Sequence, residues 1–189
     1  MLFIYFFIYA LLIAVGVFDV YMLEYFYCAV IRHQPPNVST TRHLRQYVVN
    51  EIISNYPDAK KICELGSGFG GLARVIARNT KADVYALENM PFVAFVSKII
   101  DILSGCKKNH TIWTDAFEYL KNEHFDVVVA YLGPTVTPKI YEHKDKIGIL
   151  ISLDFEIKGI KPKHVVNTIS GYTIYNHVKY PHRLFIYEF

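Results

Sequence analysis

The residues that decide the fold are Ile62-Cys63-Glu64-Leu65-Gly66-Ser67-Gly68-Phe69-Gly70-Gly71. They leave a strand, Lys61 to Leu65, and enter a helix that begins at Leu72 and runs to about Arg78. Glycines in such a turn let the backbone bend tightly and approach a ligand that a Cβ would exclude. The start of the helix offers free N–H groups to an anion. Two patterns fit. Gly66, Gly68 and Gly71 spell GxGxxG, while Glu64, Gly66, Gly68 and Gly70 spell ExGxGxG. Either match alone is weak.

Three features bear on the choice. Glu64 ends the strand two residues before the first glycine, where a carboxylate suits a ligand ammonium and repels a pyrophosphate. Glu88 ends the next strand, where an acid accepts both hydroxyls of a ribose. That feature serves a nicotinamide dinucleotide and S-adenosylmethionine equally. Finally, only about 150 residues follow residue 38, too few for the separate substrate domain of a dehydrogenase.

Outward from the glycine turn, strand and helix alternate. Thr40 or Thr41 caps a helix running to about Ser54, with Leu44, Val48 and Ile52 on one face. Ala82 to Leu87 is the second strand. Pro91 starts a helix that reaches Leu103 and stops at Gly105. Thr111 to Thr114 is a short third strand, followed by a helix over Ala116 to Lys121. Phe125 to Leu132 is nearly all apolar, as a strand covered on both faces should be. A helix around Pro138 to Lys144 precedes a fifth strand, Gly148 to Phe155. Tyr172 to Val178 and Arg183 to Glu188 then read as an antiparallel hairpin joined by Lys179-Tyr180-Pro181-His182. The expected fold is therefore α/β: a Rossmann-like, seven-stranded mixed sheet with helices on both faces and a closing antiparallel hairpin.

A different segment precedes this core. Residues Met1 to Phe18 carry no charged side chain, and the apolar run resumes after Asp19 toward Ile31. Eighteen helical residues span roughly 27 Å, close to the hydrocarbon thickness of a bilayer. Tyr21, Tyr25, Phe26 and Tyr27 suit a membrane interface. Arg32, Arg42 and Arg45 follow, so the positive-inside rule places the bulk of the chain on the cytoplasmic side of a single-pass span. A cleaved signal peptide is the competing reading, but the basic n-region is missing and the apolar stretch is long. Residues 1–31 are expected to form the transmembrane anchor, 32–38 a linker broken by Pro35-Pro36, and 39–189 the catalytic-sized domain.

The composition excludes several classes. Of the 189 residues, 52% are hydrophobic and 20% charged, which rules out intrinsic disorder. A net charge of +3 is too mild to argue for nucleic-acid binding. Three scattered cysteines make neither a disulfide framework nor a zinc site, and the eight histidines show no close pair, so no metal site is expected. Lys107, Lys108 and the lysines from Lys158 to Lys163 read as solvated loop charges that also suit anionic lipid headgroups.

With these markers in order, residues 38 to 189 resemble the class I S-adenosylmethionine-dependent methyltransferases. Glu64-Leu65-Gly66-Ser67-Gly68-Phe69-Gly70 looks like the first cofactor motif of that family, and Glu88 like its ribose acid. Asp115, in Trp113-Thr114-Asp115-Ala116, falls where the family places an acid near the adenine amino group. The membrane helix followed by Pro36-Asn37-Val38-Ser39-Thr40-Thr41 is similar to the small membrane-anchored protein-lysine methyltransferases of the ATP-synthase c-subunit type. The resemblance implies S-adenosyl-L-methionine as cofactor. It would be held by Thr40, Thr41, Glu64, Gly66, Ser67, Gly68, Gly70, Glu88, Asn89, Asp115, Ala116 and Tyr131. Tyr131 and Pro134, where the fourth strand ends, would line the acceptor pocket, with Phe69 shaping it. That exit, Ala130-Tyr131-Leu132-Gly133-Pro134, departs from the Asn/Asp-Pro-Pro-Tyr/Phe motif of amino-directed nucleic-acid and glutamine enzymes, so nucleic acid is not the expected partner.

The expected function is methylation of a lysine in a membrane-associated protein by an enzyme held in the same bilayer. Two alternatives stand beside it: a lipid-soluble small molecule as acceptor, and a cofactor-binding protein without catalysis. Thr40, Thr41 and Asp115 also fit as helix caps, and Tyr131 as a core aromatic.

Overall fold

The computed structural model describes residues 2–31, 39–168, 171–172 and 179–189. The chain divides into two compact units, Met1–Pro36 and Asn37–Phe189. The linker expected at 32–38 lies outside the described residues.

In the first unit, α1 (Leu2–Phe26) is a single helix that continues as one π-helical stretch, Tyr27–Ile31. No proline interrupts it and Asp19 and Glu24 are its only charges. With no polar face, such a helix has no preferred side to turn to water. From Phe3 to Ile31 it is long and apolar enough to cross a membrane by length and composition.

The second unit is one sheet covered on both faces. Its elements in chain order begin with α2 (Arg42–Asn55), β1 (Lys61–Leu65), α3 (Gly71–Asn79), β2 (Asp83–Glu88), α4 (Pro91–Leu103) and β3 (Asn109–Trp113). They continue with α5 (Ala116–Leu120), β4 (Phe125–Ala130), α6 (Thr137–Ile140), a 3₁₀ turn (Tyr141–Lys146) and β5 (Ile147–Leu153). The last strands are β6 (His164–Asn167), β7 (Gly171–Tyr172), β8 (Lys179–Tyr180) and β9 (Arg183–Glu188). The large sheet has the order β3-β2-β1-β4-β5-β9-β6. β1 to β5 run parallel, and β9 inserts antiparallel between β5 and β6. This is the expected Rossmann-like, seven-stranded mixed sheet. The chain reverses direction across the sheet at β1 and β4, and ligands of open α/β sheets bind where such reversals open a crevice at the carboxyl ends.

Alternation along β1 feeds two cores. Ile62 packs with Leu44, Val48 and Ile52 of α2 and Leu72 and Ile76 of α3 on one face. Cys63 and Leu65 pack with Leu120, Phe125, Leu150 and Tyr187 on the other. Asp126 ties the strand starts together by accepting from the amides of Lys60 (2.7 Å) and Lys61 (2.8 Å).

The closing strands correct one expectation. Arg183–Glu188 pairs in the large sheet with Ile147–Leu153 on one side and His164–Asn167 on the other, where a hairpin with Tyr172 to Val178 was expected. Gly171–Tyr172 pairs with Lys179–Tyr180 as a separate two-stranded ribbon, and residues 173–178 lie outside the described residues. His164–Asn167 offers only two apolar residues to a propensity reading, whereas the later segment is richer in aromatic and β-branched residues. Tertiary pairing decides instead. The amides of Lys163 and Thr168 extend the ladder to the carbonyls of Ile186 (2.7 Å) and His182 (2.8 Å), and His164 Nε2 pairs with Glu51 of α2 at 2.8 Å.

Under the glycine turn lies a buried polar knot. Arg74 of α3 meets Asp101 of α4 at 2.9 Å, and Asp101 also accepts from Asn109 Nδ2 (2.9 Å) and Thr111 Oγ1 (2.6 Å) of β3. Ser97 Oγ lies 3.1 Å from Thr111 Oγ1, and Arg74 also donates to the carbonyl of Phe69. Removing Asp101 would strand a buried guanidinium, at a cost of about 3–5 kcal/mol. Asp101→Ala should therefore lower the melting temperature of the full chain in detergent by on the order of 10 °C. A shift no larger than that of the exposed variant Asp83→Ala would contradict this account.

Candidate functional site

The turn from β1 to α3 is built by backbone that few residues but glycine adopt. Gly66, Gly68 and Gly70 have φ of +67°, +55° and +69°, so every second residue is left-handed. At Gly70 space is also denied: a Cβ there would sit 2.5 Å from Ser97 Oγ and 2.8 Å from Arg74 Nη1. The loop is fastened at its base by Ser67 N donating to Leu87 O (3.0 Å) and closed by Gly70 N donating to Ser67 O (2.9 Å).

Two acids organise the amides that the turn exposes. Glu64 Oε2 accepts from Ala73 N at 2.8 Å, inside the first turn of α3. Glu88 spans the crevice, taking Gly68 N at 2.7 Å on Oε2 and Met90 N at 2.9 Å on Oε1. Both carboxyls are buried. The twenty-residue spacing seen in the sequence thus becomes direct contact between the acid after β2 and the central glycine of the loop. Ser67 Oγ is buried beside them without a hydrogen-bond partner. An unpartnered hydroxyl in a cradle of turned amides is a site that a polar ligand completes.

Burial pushes the Glu64 carboxyl up to about 8. The Ala73 amide, Arg45 and Arg74 oppose that rise, and the charge of Glu88 adds to it. Near neutral pH this group holds its proton, and a cation arriving beside it favours its ionised form.

The sequence-derived residues fall into three groups. Glu64, Gly66, Ser67, Gly68, Gly70, Glu88 and Asn89 come together around the turn. Tyr131 joins them. β1 and β4 pair through Leu65 and Ala130, and a Cβ on Gly66 would lie 3.0 Å from Leu132 Cδ2. Asp115 and Ala116 stand at the same sheet edge, one step from Thr114, whose amide donates to Glu88 O at 2.9 Å. Asp115 itself caps α5, accepting from Phe117 N (2.9 Å) and Glu118 N (3.2 Å). Thr41 caps α2 by accepting from Leu44 N at 3.2 Å. Thr40 holds Arg45 through its carbonyl and hydroxyl oxygens, both 3.0 Å from Nε. These caps occupy the hydroxyls locally, while Arg45 reaches the glycine turn: a Cβ on Gly71 would lie 2.7 Å from its guanidinium. Pro134 is exposed beyond β4. Among the described residues no cluster of three His, Cys, Asp or Glu side chains is placed to hold a metal ion.

Sequence reasoning missed Asp154 and His182. Asp154 follows β5 with φ of +63°, the one non-glycine residue with positive φ among those described. Its Oδ2 accepts from Tyr131 OH (3.0 Å) and pairs with His182 Nδ1 (2.6 Å), and its Oδ1 accepts from Arg183 N (2.9 Å). Beside the Asp154 carboxylate the proton belongs on Nδ1, and in the neutral ring Nε2 is then the acceptor. That atom is buried and has no hydrogen-bond partner. Burial first, then the Asp154 charge, raises the Tyr131 hydroxyl well above its ordinary value, so it remains a phenol and a donor. Strained backbone at a strand exit was the signal, and strain of this kind is visible only in three dimensions.

No family model matches the chain, and no curated protein matches it. Solved structures do. An RNA methyltransferase from Salinibacter ruber, in complex with S-adenosyl-L-homocysteine, aligns with TM-score 0.61 at 20% identity, over 80% of this chain and 93% of that one. TrmK of M. capricolum, in complex with S-adenosyl-homocysteine, aligns with TM-score 0.60 at 16% identity, over 75% and 67%. Precorrin-6y C5,15-methyltransferase from Geobacter metallireducens aligns with TM-score 0.58 at 10% identity, over 81% and 92%. At such identities the likeness is one of fold.

The raised Glu64 value has a sign that can be measured. The unfolded chain releases this proton near 4.5, whereas the folded chain keeps it to about 8. Stability from this group is therefore full below about pH 4.5 and falls as pH rises toward 8. Glu64→Gln keeps an acceptor for Ala73 N but cannot ionise. Urea unfolding across that range should show the variant gaining on the parent as pH rises. A constant difference would contradict the assignment.

Proposed function

We propose that this chain is an S-adenosylmethionine-dependent methyltransferase held in a membrane, with its catalytic domain on the cytoplasmic side, acting on a lysine of a membrane-associated protein. One observation carries the cofactor reading: the Glu88 carboxylate and the Gly68 amide, 2.7 Å apart, form one wall of the crevice. An amino-acid end and a ribose need this pairing of turned amides with an acid, and an unpartnered Ser67 hydroxyl lies beside it. Neighbours of the same fold, crystallised with S-adenosyl-homocysteine, support the same choice.

The residues divide the work. Glu64 and the amides of the glycine turn would hold the amino-acid end, Glu88 the ribose, and Asp115 with Ala116 the adenine side. When bound, S-adenosylmethionine supplies a methyl group already activated by a positive sulfonium. The chain must then chiefly orient a nucleophile and keep water out. At the β4 exit, Tyr131 lies 6.2 Å from Phe155, ring centre to ring centre, with the planes inclined at 29°. Water excluded from such a pocket would disfavour a charged ammonium and ease loss of its proton. Tyr131 acts as donor and wall, not as base, and His182 Nε2 is the acceptor atom of that network.

The lysine assignment draws on the apolar helix and on the likeness of residues 36–41 to the membrane-anchored lysine enzymes. A span in the bilayer raises the effective concentration of any acceptor there. Named RNA enzymes among the fold neighbours make RNA an acceptor the experiment must separate.

Calorimetry on the full chain in detergent should show S-adenosylmethionine binding that falls at least about tenfold in Glu64→Ala, Glu88→Ala and Gly68→Arg, each of which removes a carboxyl partner or fills the crevice. Wild-type affinity in all three would remove the cofactor assignment. Membranes from cells lacking the chain, incubated with it and methyl-labelled cofactor, should carry label in protein as methyl-lysine. Label in the organic extract or in RNA would replace the acceptor while keeping the enzyme.

A further inference from the structure

Helix α4 is inside out. Its buried face holds Ser97 and Asp101 beside Val93 and Ala94, because that face meets the Arg74–Asp101–Thr111 knot. Its outward face is apolar: Phe95 is 61% exposed, Ile102 78% and Leu103 82%, with Ile99 between them. The spacing 95, 99, 102, 103 draws one stripe along the helix. A helix of a soluble surface normally shows water the opposite pattern. Lysines accompany the stripe in the sequence. Lys98 lies on the helix, and Lys107 and Lys108 follow the Gly105 stop, all exposed, with Lys108 Nζ 3.3 Å from the carbonyls of Thr80 and Lys81.

We infer that this face of α4 lies in the headgroup region of an anionic lipid bilayer. The inference rests on the reading of residues 3–31 as a membrane span, which keeps the domain within reach of lipid. An apolar stripe with a basic rim is the chemistry of helices that lie in the interface plane: the side chains enter the acyl boundary while the ammonium groups meet phosphates. The polar knot makes the arrangement possible. It anchors α4 through hydrogen bonds and an ion pair, so the helix does not need its large apolar side chains for the core. A docked α4 also orients the sheet, because α4 begins at Pro91, directly after the Glu88 end of β2, and so couples the crevice to the lipid surface.

The test uses the full chain in vesicles of phosphatidylcholine and phosphatidylglycerol that carry spin-labelled acyl chains. The three native cysteines are buried, so a fluorophore can be placed selectively on Ile102→Cys, with Lys121→Cys as an exposed control and Leu12→Cys in the span. The expected result is severalfold stronger quenching at position 102 than at position 121, lost when Phe95→Glu and Leu103→Glu are added. Deep quenching at position 12 with equally weak quenching at 102 and 121 overturns the docking and leaves the span intact. No quenching at position 12 overturns the span, and this inference with it. A label at 102 that is shielded in native membranes but not in lipid vesicles assigns the face to a protein partner and overturns the lipid reading.

Discussion

The carboxylate of Glu88 bridges the amides of Gly68 and Met90, and the candidate site depends on that bridge. A turn with three left-handed glycines gives Ser67 N and Gly70 N backbone acceptors but turns Gly68 N, and the next helix start Ala73 N, toward side-chain ones. Unpaired, each would cost about 1–3 kcal/mol. An acid at the end of β2 and another at the end of β1 take two of them, the second by capping Ala73. These bonds fix the turn in one shape, which is preorganisation for whatever the crevice holds.

Beneath that turn, the Arg74–Asp101 pair does for helices what the acids do for amides. It joins α3, α4 and β3 through a charged pair whose donors and acceptors are matched, leaving Asn109 Oδ1 as the one knot atom without a hydrogen-bond partner. Its consequence reaches the surface. Because α4 is held from within by polarity, its apolar residues face outward, in a chain whose other unit is an apolar helix of bilayer length. A third polar cluster, Tyr131–Asp154–His182, closes the β4 and β5 exits and stores strain at Asp154.

Much of this was legible in the residues. The glycine spacing, the acids at 64 and 88, the alternating strands and the caps at Thr41 and Asp115 are local features, and local chemistry reads them directly. Glu64 shows the limit. From sequence it is a carboxylate facing a ligand; in the fold it lies buried against Ala73, with its proton held to about 8. The His164–Asn167 strand was illegible because its apolar content is slight, and its partner lies across an intervening ribbon. His182 was illegible because it lies far along the chain from Tyr131 and Asp154.

By itself the sequence determined the class of the fold, the place of the glycine turn and the long apolar helix, since each follows from spacing within a few residues or from uniform composition. Only tertiary structure decided which strand closes the sheet, which carboxyl is desolvated, which histidine pairs with Asp154 and which way α4 turns its apolar side. These depend on contacts between residues distant in the chain, where burial and pairing outweigh local preference.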